Sequence, residues 1–170
     1  TKCTGRTIEH DDVIPLGALA DVLTQCLSLP EGLLASLHAE LEVAERHLRV
    51  ATEREPGLAE AWCNHAVALG ALGRAAEARA AYERAIALKP DYAEAHDRLG
   101  ALACQTSGFA AAVPHFRRAA ILQPDDPTGW ANLGTALAQS GGMEEALGCF
   151  ERALGLAHQL VADVVDGQVA

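Results

Sequence analysis

The sequence predicts an all-α fold, a solenoid of antiparallel helix pairs, and three observations carry that prediction. The stretch Trp130 to Gly142, "WANLGTALAQSGG", is preceded at 34-residue steps by "HDRLGALACQTSG" and "WCNHAVALGALGR". Half the residues are apolar but only 4% are aromatic, so a core must be built mainly from Ala, Leu and Val. Ala and Leu favour helix, and the aromatic strand formers are scarce. Finally, a turn former splits each unit in two: Gly73, Gly108, and Gly141 with Gly142.

The elements follow from the frame. At 34-residue steps stand Trp62, His96 and Trp130; Ala66, Gly100 and Gly134; Leu69, Ala103 and Leu137; Ala78, Ala112 and Ala146; Tyr82, Phe116 and Phe150; Ala85, Ala119 and Ala153. Large and small apolar residues locked in phase are the mark of stacked repeats. Apolar spacing within each unit predicts helices near 59–72, 75–88, 93–105, 109–122, 127–139 and 143–157. Ala66, Gly100 and Gly134 fall where the paired helices cross, with Ala78, Ala112 and Ala146 as small partners. Tyr82, Phe116 and Phe150 are expected to fill the wider space toward the next unit. Pro90 and Pro124 end the second helices, because proline lacks an N–H and restrains the residue before it. Pro114 disagrees with the scheme and predicts a kink or a late helix start.

Each unit resembles the tetratricopeptide repeat. The third shows it most openly, with Trp130, Leu133, Gly134, Leu137, Ala146 and Phe150 at the family spacing. The first has His65 where Leu is usual, and the second has His96 where Trp is usual. The resemblance divides the chain into repeats at 59–92, 93–126 and 127–160 and implies a right-handed superhelix. Upstream, Ala44, Leu48, Ala51 and Pro56 keep the phase of Ala78, Tyr82, Ala85 and Pro90, so 14–58 reads as a divergent helical pair. A helix over about 15–27 and a long one between Leu33 and Arg54 are expected there. Residues 1–13 read as a loose arm. Leu160, Val161, Val164 and Val165 predict that the last helix runs on to Asp166, with 161–170 capping the stack.

Composition excludes several function classes. A net charge of -10 argues against a nucleic-acid surface. No apolar run reaches the ~20 residues that span a bilayer. Five widely spaced cysteines without a Cys-x-x-Cys pair predict reduced thiols and a cytoplasmic setting. No metalloprotease, nucleophile-elbow, phosphate-loop or dinucleotide motif occurs, so neither enzyme activity nor a cofactor or metal is expected of this chain. "IEHDD" at Ile8–Asp12 reads as a solvated terminus rather than a metal site. His65 and His96 occupy packing slots.

What remains is a surface. The resemblance implies that first helices line a concave groove holding an extended segment of a partner protein. The exposed 3.6-residue stripe consists of Glu60, Asn64, Val67 and Ala71; Glu94, Arg98, Ala101 and Gln105; Thr128, Asn132, Thr135 and Gln139. Cys63, Asp97 and Ala131 flank it, and Cys104 is another candidate for contact, with buried inert thiols the default reading of both cysteines. Asn64, Arg98 and Asn132 share one phase, similar to the asparagine row by which O-linked N-acetylglucosamine transferase repeats hold peptide backbones. Arg98 interrupts that row. As the stripe's one basic residue, beside Asp97 and Glu94, it does not make the carboxylate clamp of chaperone-tail repeats. A second reading, motivated by the start at Thr1 and the abrupt end, makes the chain the substrate-docking array of a larger glycosyl-, methyl- or sulfotransferase. A third is self-assembly into a homo-oligomer through an exposed repeat end.

Overall fold

Periodic apolar residues become helix through most of residues 31–165, the part of the chain that this computed structural model describes. Among the described residues there are seven helices and no strand: α1 Glu31–Arg54, α2 Ala59–Ala71, α3 Ala75–Leu88, α4 Ala93–Thr106, α5 Phe109–Leu122, α6 Pro127–Gln139 and α7 Met143–Val165. From residue 59 onward the expected bounds agree to within a residue, and α7 takes the longer of its two expected courses. The arm at 1–13, the short helix at 15–27 and "IEHDD" lie outside the described residues. No helix among those described is long and apolar enough to cross a membrane.

The chain divides into two units, Thr1–Glu40 and Leu41–Ala170. The first is described only over the opening turns of α1. The second is a stack of three helix pairs, α2 with α3, α4 with α5 and α6 with α7, joined because α3 also packs on α4 and α5 on α6. Turns of two or three residues fold each pair back on itself.

Those turns depend on glycine. Gly73, Gly108 and Gly141 take positive φ of 76°, 91° and 94°, a region that a Cβ disfavours. After α2, Arg74 N–H donates to Leu69 O at 2.9 Å, and after α6, Gly142 N–H donates to Leu137 O at 2.8 Å. Both bonds satisfy carbonyls that a helix end leaves open. The middle unit puts Ser107 at the phase of Gly73 and Gly141. There α4 runs on to Thr106 and the left-handed turn moves to Gly108.

Packing follows the small residues. Ala66, Ala78, Ala85, Ala95, Ala112, Ala120, Ala136 and Ala146 are fully buried. A Cβ on Gly100 would lie 2.9 Å from the Phe116 ring, and one on Gly134 would lie 2.8 Å from the Phe150 ring. The aromatic of each of these units therefore presses on the glycine of its own first helix, not only toward the next unit as the sequence suggested. The late helix start expected at Pro114 does not occur. Helix α5 begins at Phe109 with Pro114 inside it, five residues in, at the cost of the hydrogen bond its absent N–H would make.

The Trp slot has one job in all three units. Trp62 Nε1–H donates to Pro56 O at 3.1 Å, and Trp130 Nε1–H to Pro124 O at 2.9 Å. His96 Nε2 lies 3.2 Å from Pro90 O, which makes Nε2 the protonated nitrogen. Each ring thus ties a first helix to the proline turn before it, and Trp62 and Trp130 are equivalent as the repeat requires. Arg152 lies over the Trp130 ring, 4.4 Å from its centroid.

The divergent helix α1 keeps the length expected of it but not the register. Ala44 is exposed where Ala78, Ala112 and Ala146 are buried; one residue on, Glu45 and Thr52 face inward. Glu45 Oε1 meets buried His65 Nε2 at 3.1 Å and Arg74 at 3.3 Å. A polar contact therefore replaces the apolar one that Leu at position 65 would make. The hydrogen bond from His65, helped by Arg74, holds the Glu45 carboxyl below its usual range.

Candidate functional site

The first helices α2, α4 and α6 each turn one face into packing and leave the other open. Glu60, Asn64, Val67, Ala71, Glu94, Arg98, Ala101, Gln105, Thr128, Thr135 and Gln139 are exposed, while Asp97, Ala131 and Asn132 are half-buried. Of the two readings of Cys63, a flank of the groove and a buried inert thiol, the second holds. The residue is only 1% exposed and belongs to the core beneath the stripe, where an apolar slot suits a small thiol.

Two hollows of about 300 and 260 Å³ follow one another along this face. The first lies between α2 and α4 over Tyr82, bordered by Val67, Ala71, Arg98, Ala101 and Gln105. The second lies between α4 and α6 over Phe116, bordered by Ala101, Gln105, Cys104, Phe109, Asn132 and Thr135. Ala101 and Gln105 line both. The linings are repeat equivalents: Val67 with Ala101, Ala71 with Gln105, Tyr82 with Phe116, Arg98 with Asn132, and Ala101 with Thr135. The hollows are thus one feature written twice. Of the stripe residues, Glu60, Asn64, Glu94, Thr128 and Gln139 border neither hollow, nor do the flanking Asp97 and Ala131.

Sequence reasoning missed the floors of these hollows. In sequence Tyr82 and Phe116 read as packing residues and Phe109 as the start of a helix, while nothing singles out Leu102 and Ala136. Phe109 is partly exposed, whereas Tyr82, Leu102, Phe116 and Ala136 are buried and line the hollows from beneath. The signal available was the 34-residue phase shared by Tyr82 and Phe116, which said that whatever one lined, the other would line too.

Polar groups along the stripe are bound to one another. Asn132 Nδ2 donates to Asp97 Oδ1 at 2.9 Å, crossing from one unit to the next. Arg98 pairs with Glu94 at 3.5 Å and Lys89 with Glu60 at 3.3 Å. The asparagine row is therefore not a uniform ladder: Asn64 is exposed, Arg98 is paired along its own helix, and Asn132 spends a donor on Asp97. An amide retains further hydrogen-bonding capacity after one bond, so a ligand can still be read there.

Among the described residues, His65, Cys63 and Cys149 are buried in the packing. Burial pushes the thiols of Cys63, Cys104 and Cys149 up, which keeps them protonated and weakly nucleophilic at neutral pH. Among the described residues no three His, Cys, Asp or Glu side chains gather as metal ligands would. Shape and hydrogen bonding are what this face offers.

Comparisons agree with the geometry. A TPR repeat model matches residues 68–107, and a tetratricopeptide repeat model matches 98–159. Comparison with curated proteins finds no match. Among solved structures, a crystal structure of MamA aligns with a TM-score of 0.68 and 22% identity, covering 86% of this chain and 88% of that one. A second MamA crystal structure gives 0.65 and 23%, covering 72% of this chain and 67% of that one. MamA 41-end from Desulfovibrio magneticus RS-1 gives 0.63 and 21%, covering 81% and 72%. At these identities the likeness concerns the fold. Paired helices repeating every 34 residues, matched by repeat models from 68 to 159, place this chain in the tetratricopeptide repeat family.

Proposed function

We propose that this protein is an interaction module whose first-helix face holds an extended segment of a partner protein. The observation that carries the reading is the pair of repeat-equivalent hollows joined at Ala101 and Gln105. A periodic track suits a periodic ligand, and in an extended chain every second side chain points the same way. Tyr82 and Phe116 supply apolar floors, while Gln105, Asn132 and Thr135 supply donors and acceptors for a peptide backbone. Small residues at 71 and 101 leave room for that backbone to approach.

The test uses the shared wall. Ala101 is exposed, so Ala101→Phe fills both hollows without entering the core. The variant is used as bait beside the wild-type chain in affinity capture from the source cell. Loss of the proteins that co-purify with wild type, at an unchanged melting temperature, is the expected result. Undiminished capture by A101F moves the binding site to another face.

A further inference from the structure

The second helices α3, α5 and α7 carry an arginine at one 34-residue phase: Arg84, Arg118 and Arg152. All three are exposed. Among the described residues none of them enters an ion pair. That sets them apart from Arg74, Lys89, Arg98 and Arg117, which pair with Glu77, Glu60, Glu94 and Glu145. Acidic side chains outnumber basic ones 23 to 13 in this chain, so three unpaired guanidiniums at one phase reflect local placement and not a surplus of base.

The lane around them is neutral. Near neighbours on a helix stand three and four positions away, and no acidic residue holds either spacing from any of the three arginines. Four positions before them come Ala80, Pro114 and Gly148; three positions after come Ala87, Ile121 and Gly155, all exposed and most of them small. A chain can therefore approach the row closely. Arg152 lies over the Trp130 ring, 4.4 Å from its centroid, and Arg118 stands near enough to repel a charge on His96, the repeat equivalent of Trp130. A guanidinium held by its face on a ring keeps its N–H edge for an acceptor.

We propose that this row is a second binding site, taking an acid-rich extended segment of a partner protein, one carboxylate to each guanidinium. The fork of N–H donors in arginine matches a carboxylate. One exposed pair adds little affinity, so three in register select a run of carboxylates, whose linked contacts reinforce each other. The chain's remaining negative charge is screened beyond about 8 Å at physiological salt. Shape favours a single strand: exposed Glu83 and Glu151 stand one position before Arg84 and Arg152, and a flat anionic bilayer would press on those carboxylates as well. None of the three arginines borders either hollow, so this site does not rest on the groove reading.

The probe is a fluorescent synthetic peptide alternating Glu and Ser, long enough to cross three units, with a Gln and Ser peptide beside it. Anisotropy with the full chain should show binding of the first alone, weakening as salt rises. Arg84→Gln with Arg118→Gln and Arg152→Gln should weaken it at least about tenfold, while Arg46→Gln with Arg54→Gln, two exposed sites off the row, leaves it unchanged. A101F should bind the acidic peptide as wild type does. Should loss of Arg152 from Trp130 lower the melting temperature, Arg84→Gln with Arg118→Gln is read in its place. Absence of binding at low salt overturns the proposal. So does equal binding by the row variants, or an equal loss in the off-row pair, which would make the effect one of net charge. Tighter binding to phosphatidylserine vesicles than to the peptide overturns it too, in favour of a membrane surface.

Discussion

His96 shows how one position can carry a repeat's geometry with different chemistry. Its Nε2–H replaces the indole N–H of Trp62 and Trp130 on a proline carbonyl, but its Nδ1 is buried without a partner. Burial, with Arg118 adding repulsion, lowers its pKa, and neighbouring His115 is lowered by burial too, with His96 and Arg79 repelling its charge. The fold thus favours neutral imidazoles. A depressed folded pKa gives stability that is present above the unfolded value and lost as pH falls through about 6.5 toward the folded value. Melting temperature should therefore drop on acidification from pH ~7.5 to ~5, beyond what carboxylates account for. His96→Trp should flatten that drop while gaining about 0.5–1 kcal/mol at neutral pH, because indole buries more apolar area on the same hydrogen bond. An unchanged pH profile in the variant would refute the assignment.

Helix pairs are set by glycine under an aromatic ring, and the two cases differ instructively. Gly100 meets Phe116, which is 5% exposed and hemmed in by the following unit, whereas Gly134 meets Phe150, which is 39% exposed at the end of the stack. Alanine at either site gains about 1 kcal/mol of helix propensity but must displace the ring. Phe116 has nowhere to go, so overpacking of roughly 1–3 kcal/mol should leave Gly100→Ala destabilised by up to about 2 kcal/mol. Phe150 can swing outward, so Gly134→Ala should fall within about 0.5 kcal/mol of wild type. Denaturant midpoints for the two variants decide this, and equal midpoints would show that the stack end is as closed as its middle.

Units of the stack are joined by apolar packing and by polar ties: Asn132 to Asp97 on the first-helix face, Arg79 to Thr106 and Ser107, and Arg117 to Glu145. Stability in such arrays is a sum of unit and interface contributions. Asn132→Ala should cost about 1 kcal/mol of a typical hydrogen bond's worth, and it should weaken partner capture as well, since Asn132 borders the second hollow. Asn64→Ala, on an exposed site that borders neither hollow, should change neither. Chemical denaturation paired with capture separates the two effects, and a neutral Asn132→Ala would mean that the tie adds nothing in water.

Much of this was written along the chain. A fixed interval repeats the same local choices of helix, turn and small residue, and helix bounds follow from local chemistry, so they were legible from residue 59 onward. Pro114 gives no late start to α5, because its effect depends on how well the rest of the helix is held, and the neighbours that hold it are distant in sequence. The register of α1 was hidden for a related reason. Glu45 turns inward only because His65 and Arg74, from α2 and the start of α3, arrive to meet its charge. The hollow floors likewise needed the structure, since a helical stripe names a face but not its depth. Period and pairing are one-dimensional properties that sequence alone determined. Which side chains face inward, which polar groups pair, and where the open surface lies were decided by elements packing together, because burial belongs to contacts between segments and not to any segment by itself.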